Sequence, residues 1–168
     1  MFRTLRRKKQ ALSEEETRQL LERATSGVLS LYGDEGYPYG VPMSYVYVDG
    51  KIYFHSAKSG HKIDAMKTHT KACFTVIEQD TVVPEEYTTY YRSAIVFGKM
   101  RILEEEEEIM EAIHLLSDKY RPGYEEERKK AIEKDYDGLT MMEMNIEHLC
   151  GKEAIELVRK KEKEANSN

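Results

Sequence analysis

The chain has 168 residues, a length that suits one domain with its own buried core. Its hydrophobic content of 40% and charged content of 34% are those of an ordinary globular protein, and a formal charge of −5 gives no support for a nucleic-acid partner. No apolar run approaches the roughly 20 residues that span a bilayer, the first residues lack the apolar stretch of a signal peptide, and two cysteines are too few for a disulfide framework, so we expect a cytoplasmic protein without a membrane partner.

The first predicted element is a helix that follows a basic arm. Ser13 and Glu16 have the spacing of a capping box, in which each side chain bonds the other residue's backbone amide. Leu20 and Leu21 then supply an apolar face, and Gly27 ends the helix. A solvated arm is favoured over a binding patch for the basic residues that come before it: Arg3, Arg6, Arg7, Lys8 and Lys9.

The clearest local signal is a β-hairpin. A run of alternating apolar residues leads into Asp49-Gly50, the preferred pair for a type I′ turn, and β-prone residues follow. A two-residue loop places Val48 opposite Lys51 and, farther out, Ser44 opposite His55. Cross-strand partners have Cβ atoms about 5 Å apart. We therefore expect the Ser44 and His55 side chains to be neighbours near the open end of the hairpin.

The remaining pattern alternates helices and strands. In chain order it predicts a short helix ending near His69, strands over 73–77 and 86–103, a helix from 104 that Pro122-Gly123 stops, a helix over 124–134 and a strand over 142–148. The long strand is expected to bend at Gly98. Many short strands with few helices favour a mainly β fold, a barrel or sandwich of antiparallel strands. Residues 1–158 are predicted to form a single domain and residues 159–168 a charged, disordered tail.

The segment from His55 to Lys62 is the richest candidate for chemistry. A strand ends there, Ser56, Ser59 and Gly60 follow, and a helix begins with Lys62 in its first turn. Helix N-termini present unpaired amides and a positive dipole end, so they bind phosphate readily. The spacing is not that of a Walker A loop, because the leading glycine is missing. The alternative is an ordinary capped helix whose lysine faces water.

A second candidate is Arg92, which interrupts an otherwise apolar strand. Burying an unpaired arginine is costly, so the side chain either lies on a wet face or reaches an anion such as phosphate. The residues alone leave both alternatives open. The five histidines show no metal-ligand spacing, and a Ser44/His55 nucleophilic pair lacks a visible orienting carboxylate, so neither a metal site nor a hydrolase site is predicted.

Three stretches together resemble the pyridoxamine 5′-phosphate oxidase-like split-barrel family, and within it the nitroimidazole-resistance branch. They are residues 37–43, 52–62 and 91–93, and the late sequence 151–154 is also similar to the ending of that branch. The resemblance runs from about Arg6 to about Leu157. It implies an FMN-binding split barrel of Greek-key type with flanking helices.

The resemblance also implies a homodimer with two FMN sites, each lined by both subunits. His61 and Lys62 would face the phosphate, Arg92 and Ser93 would complete the pocket from the partner chain, and His55 would lie by the flavin face, positioning or protonating a substrate. The full set of cofactor-binding residues that it implies is Val41, Pro42, Met43, Ser44, His55, Ser56, Ala57, Gly60, His61, Lys62, Tyr91, Arg92 and Ser93.

The function that follows is an FMN-dependent oxidoreductase that reduces a small electrophile such as a nitroaromatic or a quinone. The chain has no equivalent of the carboxy-terminal arginine motif that pyridoxamine oxidases use on their substrate, which disfavours vitamin B6 metabolism. Two alternatives remain: a flavin-binding protein without turnover, serving storage or sensing, and a haem- or deazaflavin-binding relative.

Overall fold

The computed structural model describes residues 1–167. Within them, a single antiparallel sheet has the strands β1 (Ser26–Tyr32), β2 (Pro38–Ser44), β3 (Val46–Val48), β4 (Lys51–Ala57), β5 (Lys71–Val83), β6 (Thr88–Ile102) and β7 (Leu139–Glu153). The helices are α1 (Glu14–Arg23), α2 (His61–Thr68), α3 (Glu106–Tyr120), α4 (Glu125–Asp135) and α5 (Ile155–Ala165). The fold is mainly β with flanking helices, as predicted. No helix among the described residues is long and apolar enough to cross a membrane.

The strand order is β2-β1-β5-β6-β7-β4-β3, and the two ends of this order approach each other, since residues of β2 lie close to residues of β4. The sheet therefore curls into a barrel that is split between these two strands. The bend predicted at Gly98 is confirmed, because the β6–β7 register shifts between Phe97 and Gly98. A Cβ atom at Gly98 would lie 2.3 Å from the carbonyl oxygen of Asn145, so only glycine lets the two backbones approach this closely.

The main core fills the inside of the barrel. Three buried rings, Tyr45, Phe54 and Phe74, meet edge to face, with Phe74 at centroid distances of 4.9 and 5.1 Å from the other two. Leu20 and Leu21 of α1 are fully buried against this core. A second, smaller cluster lies on the outer side of β4 and β7, where α3 covers the sheet: Leu103, Ala112, Ile113 and Met141.

The predicted hairpin is correct at its turn and wrong at its open end. Val48 pairs with Lys51, and Asp49 and Gly50 have φ values of 47° and 79°, as a type I′ turn requires. Ser44 and His55 do not pair, because β2 leaves the hairpin at Tyr45 to pair with β1, and His55 pairs with β7 instead.

The hydroxyl of Tyr120 on α3 takes over the hydrogen bonds of the backbone at this break. It accepts from the Tyr45 amide at 3.0 Å, and its single proton lies between two acceptors, the Thr25 carbonyl and the Tyr45 carbonyl at 2.9 Å. The two polar backbone groups are therefore satisfied without a β4 partner, which lets the chain change direction inside the protein.

Side-chain contacts join the two ends of the chain. The capping box of Ser13 and Glu16 is confirmed, with both bonds present. Residues 159–165 of the predicted disordered tail lie in α5, where the Nζ atom of Lys161 lies 2.7 Å from Glu16 and 2.8 Å from Glu153. Residue 168 lies outside the described residues. The five basic side chains of the amino-terminal arm are exposed, as expected.

Candidate functional site

The turn between β4 and α2, residues Ser56–Lys62, forms a polar corner that we call the β4–α2 corner. Lys62 is half-buried, and its ammonium donates to the buried Ser56 hydroxyl at 2.9 Å, so this lysine does not simply extend into water. Gly60 caps α2 with φ of 121°, a conformation that side chains disfavour, and the space where its Cβ would stand is open. The N-terminal end of α2 and a fixed cation thus share one corner, an arrangement that suits a phosphate.

The serine before Gly60, Ser59, does not cap α2. The N-cap residue of α2 is Gly60, and it provides no side-chain acceptor for the first-turn amides. The Gly60 carbonyl accepts from the amides of Ile63 at 2.9 Å and Asp64 at 3.1 Å, whereas the amides of His61 and Lys62 have no acceptor among residues 1–167. An acceptor bound in the corner would satisfy these two helix-end donors.

His61 is held by two neighbours that no sequence pattern indicates. Its ring stacks on Tyr39 with centroids 4.0 Å apart, and its Nε2 atom lies 3.5 Å from the exposed Asp34 carboxylate. Both neighbours come from the segment around the β1–β2 turn, distant in sequence from α2. The stacking fixes the imidazole at the start of α2, beside the open space at Gly60.

Successive side chains of strand β2 lie on opposite faces of the sheet. Val41 and Met43 are half-buried and pack against the barrel core, whereas Pro42 and Ser44 are exposed on the opposite face. Only Pro42 and Ser44 can therefore present side chains to a ligand outside the barrel, and Val41 and Met43 can contribute backbone alone.

His55 and Ser56 point to opposite sides of β4. Ser56 turns inward toward Lys62, while His55 is exposed on the outer side and lines a cavity of about 340 Å³ between the sheet and the helices α3 and α4. Ala57, also exposed, ends the strand two residues later. A ligand at the end of β4 can therefore reach both the β4–α2 corner and the His55 side.

Arg92 meets a carboxylate inside its own chain. Its Nε atom donates to Glu153 at 3.1 Å, and the Arg92 side chain stays 31% exposed, so the anion that it reaches is a carboxylate of its own chain. Arg92 pairs with Glu153 at the end of β7, whereas Ala57 pairs with Leu139 at its start. One chain alone does not bring Arg92 to the β4–α2 corner.

The neighbours of Arg92 on β6 lie in the same region. Tyr91 accepts a hydrogen bond from the buried Gln10 at 3.5 Å, and Ser93 lies opposite Lys152 of β7. Tyr91, Arg92 and Ser93 therefore belong to a separate part of the surface, which could complete the site only from another subunit.

The outward face of β1, β5 and β6, which we call the outer face, carries apolar side chains that no helix of the described residues covers. Val28 is 39% exposed and Ile77 63% exposed, and the other members are half-buried: Cys73, Ile95 and Phe97. The amino-terminal arm covers part of this face, because the ring centroid of Phe2 lies 5.4 Å from that of Phe97. Among residues 1–167, no group of three acidic, histidine or cysteine side chains could hold a metal ion.

Comparison with known proteins identifies relatives of the same fold. The family model described as pyridoxamine 5′-phosphate oxidase matches residues 13–153. A candidate 5-nitroimidazole antibiotic resistance protein from Bacteroides thetaiotaomicron is 21% identical with a TM-score of 0.73, over 84% of this chain and 85% of that one. No curated protein is significantly similar in sequence.

Two further solved structures carry cofactors in their names. A FAD-binding protein from Mesorhizobium loti is 24% identical with a TM-score of 0.64, over 86% of this chain and 96% of that one. A FAD and heme binding protein from Mycobacterium smegmatis is 20% identical with a TM-score of 0.70, over 87% of this chain and 73% of that one. At these identities the likeness establishes the fold, and the split barrel predicted from the sequence is confirmed.

Proposed function

This chain belongs to the pyridoxamine 5′-phosphate oxidase family, and we propose that it is an FMN-binding flavoprotein that reduces small electrophiles. The observation that carries the proposal is the β4–α2 corner, where Lys62, Ser56 and the start of α2 converge. FAD-binding relatives with the same fold support a flavin as the cofactor, and the choice of FMN rests on the β4–α2 corner.

The residues of the corner fit the phosphate of FMN. Lys62 supplies a fixed ammonium, and the start of α2 supplies amide donors and the positive end of a helix dipole. The open space at Gly60 lets a phosphate approach the backbone. Asp34 lies against His61 and not against Lys62, so the lysine keeps its charge available for the ligand.

In this proposal Pro42 and Ser44, whose side chains are exposed on β2, would hold the flavin ring near the end of β4. Bound FMN supplies the electron transfer, and the protein supplies orientation and proton handling. His55, exposed at the same strand end, is the group that positions a substrate and holds a proton for it. Reduction of a quinone to a hydroquinone consumes two electrons and two protons, and the electrons come from a reduced nicotinamide that is oxidised in the same cycle.

We further propose that the protein acts as a homodimer in which the outer faces meet. A strand surface that is apolar on both sides needs a cover on its second side, and no helix among residues 1–167 provides one there. In the dimer, Arg92 and Ser93 of one subunit complete the flavin site of the other, which accounts for their separation from the β4–α2 corner within one chain.

The absorption spectrum of the freshly purified protein tests the cofactor. We expect the twin near-ultraviolet and blue bands of a flavin, released as FMN on denaturation. A single sharp Soret band would identify haem and a single violet band a deazaflavin, and either would overturn the proposal.

Turnover is tested on the same sample. Bleaching by a reduced nicotinamide and recovery on addition of a quinone or nitroaromatic would support the reductase. If the bound FMN is neither reduced by a nicotinamide nor reoxidised by an acceptor, the protein is a flavin-binding module for storage or sensing.

A further inference from the structure

The cavity between the outer side of β4–β7 and the helices α3 and α4 has no role in the function proposed so far. We propose that it is the substrate site and that it selects uncharged aromatic molecules over anionic ones. This inference rests on the proposed flavoprotein function, because it names the substrate class of that same site.

The walls of this cavity are apolar and aromatic. Its volume of about 340 Å³ is at the small end of the roughly 300–1,000 Å³ that small-molecule sites span. Ile113 and Leu116 of α3 face Ile132 of α4 across the cavity, and Met141 of β7 forms its floor. Rings of Tyr120, Tyr124 and Tyr136 complete the lining. Such walls favour a planar ring system of one or two fused rings.

Both arginines of the lining are already paired. The Arg121 guanidinium lies 2.5 Å from Glu127 and stacks on the Tyr124 ring at 4.1 Å. Arg128, whose side chain is only 9% exposed, lies 2.6 Å from Asp118. Because each arginine has its own carboxylate, an anionic ligand would find no free cation and would lose its hydration on entry. An uncharged ligand does not incur this loss.

One polar group of the lining is placed for an oxygen acceptor such as a quinone carbonyl or a nitro group. His55 lines the cavity from β4, beside the strand end where the proposed flavin lies. The histidine thus links the cavity to the reaction centre.

A matched pair of ligands tests the selectivity on the cofactor-loaded protein. Dissociation constants are measured by calorimetry for 1,4-naphthoquinone and for its 2-sulfonate, which share the ring and differ in charge. We expect the uncharged quinone to bind at least about tenfold more tightly, a difference of about 1.4 kcal/mol. Equal affinity, or tighter binding of the sulfonate, would overturn the inference.

The location is tested by two tryptophan variants on α4. Ala131 lines the cavity and is exposed, while its exposed neighbour Lys130 does not line it, so neither change disturbs the core. The chain has no tryptophan, and each variant therefore carries a single fluorophore. We expect Ala131→Trp to weaken naphthoquinone binding at least about tenfold and Lys130→Trp to leave it unchanged, with FMN affinity unaltered in both.

The outcomes separate this inference from the proposed function. If Ala131→Trp weakens FMN binding, the cavity holds part of the cofactor and the inference fails while the flavoprotein stands. If both variants bind naphthoquinone like the unchanged protein, the ligand lies elsewhere and the inference also fails. A protein that binds naphthoquinone in this cavity but never binds flavin would refute the proposed function instead.

Discussion

At the scale of single residues, Lys62 is the side chain on which phosphate recognition depends. Its ammonium is fixed by the Ser56 hydroxyl at 2.9 Å, so little side-chain entropy is lost when an anion binds. A charge-assisted contact contributes about 1.5–3 kcal/mol. We expect Lys62→Ala to weaken FMN binding by one to two orders of magnitude and riboflavin binding far less, because riboflavin lacks the phosphate.

Fluorescence titration of the apoprotein with both flavins measures this difference. Lys67→Ala is the matched control, because Lys67 lies on the same helix but its side chain is exposed. Its Nζ atom lies 3.9 Å from the Asp64 carboxylate. Equal weakening of FMN and riboflavin by Lys62→Ala would remove the lysine from the phosphate site.

His55 has a different expected role, because it faces the cavity and not the β4–α2 corner. We predict that His55→Ala retains FMN with unchanged affinity yet slows the reduction of quinones and shifts the pH dependence of the rate. Stopped-flow measurement of flavin reoxidation across pH follows both effects. Loss of FMN combined with full activity after reconstitution would show that the histidine only supports cofactor binding.

At the scale of elements, the crossing of β6 and β7 at Gly98 fixes the bend of the sheet. A methyl group at this position would collide with the Asn145 carbonyl at 2.3 Å, and overpacking of this kind costs about 1–3 kcal/mol. We predict that Gly98→Ala lowers the free energy of unfolding in urea by that amount. Gly138→Ala is the control, because nothing lies within 4 Å of its added methyl group, and we expect a change within about 1 kcal/mol. Equal stability of the two variants would contradict the close approach.

The docking of α5 on α1 predicts a pH-dependent contribution to stability. The hydrogen bond from Lys161, helped by the Ser13 amide, lowers the pKa of Glu16 to about 2 from its ordinary value of 4.5. Because the folded value is lower, the carboxylate stabilises the fold above the ordinary pKa, and this contribution disappears as the pH falls from about 5 to 2.

We therefore predict that Glu16→Gln is less stable than the unchanged protein at neutral pH and that the difference shrinks across this acid range. Urea unfolding at a series of pH values measures it. Glu15→Gln, which alters an exposed carboxylate of the same helix turn bonded to Gln19, is expected to show a smaller pH-dependent difference. A constant difference for Glu16→Gln at all pH values would contradict the Lys161 contact.

At the scale of the whole molecule, the shared-site proposal links assembly to cofactor binding. If each FMN contacts both subunits, FMN binds the dimer more tightly than the monomer and must therefore tighten the dimer. We predict that sedimentation at falling protein concentration shows dissociation shifted to lower concentration when FMN is in excess. A monomer that binds FMN with full affinity would refute both the shared site and the role of the partner's Arg92.

The outer face gives a second test of the same assembly. Ile95 lies in the middle of this face, between Thr75 of β5 and Cys150 of β7. We expect Ile95→Asp to weaken both the dimer and FMN binding, whereas Lys129→Asp on the exposed side of α4 leaves both unchanged. Circular dichroism of each variant verifies that the barrel still folds. A folded Ile95→Asp protein that dimerises normally would locate the interface elsewhere.

Local sequence determined the elements of this protein and the chemistry of one corner. Capping residues and the Asp49-Gly50 turn act over a few residues, so their outcome can be read before the fold is known. The same holds for the β4–α2 corner, because Ser56 and Lys62 are only six positions apart.

Tertiary structure alone decided which distant residues meet. Ser44 pairs with β1 and His55 pairs with β7, so the two residues are not cross-strand partners. Between them, the Tyr45 amide donates to the hydroxyl of Tyr120, which lies 75 residues later in the chain. Residues 159–165, predicted as a tail, lie in α5, where Lys161 contacts Glu16 and Glu153. These contacts join residues whose separation leaves no periodic trace in the sequence, and their energy exists only once the barrel has brought them together.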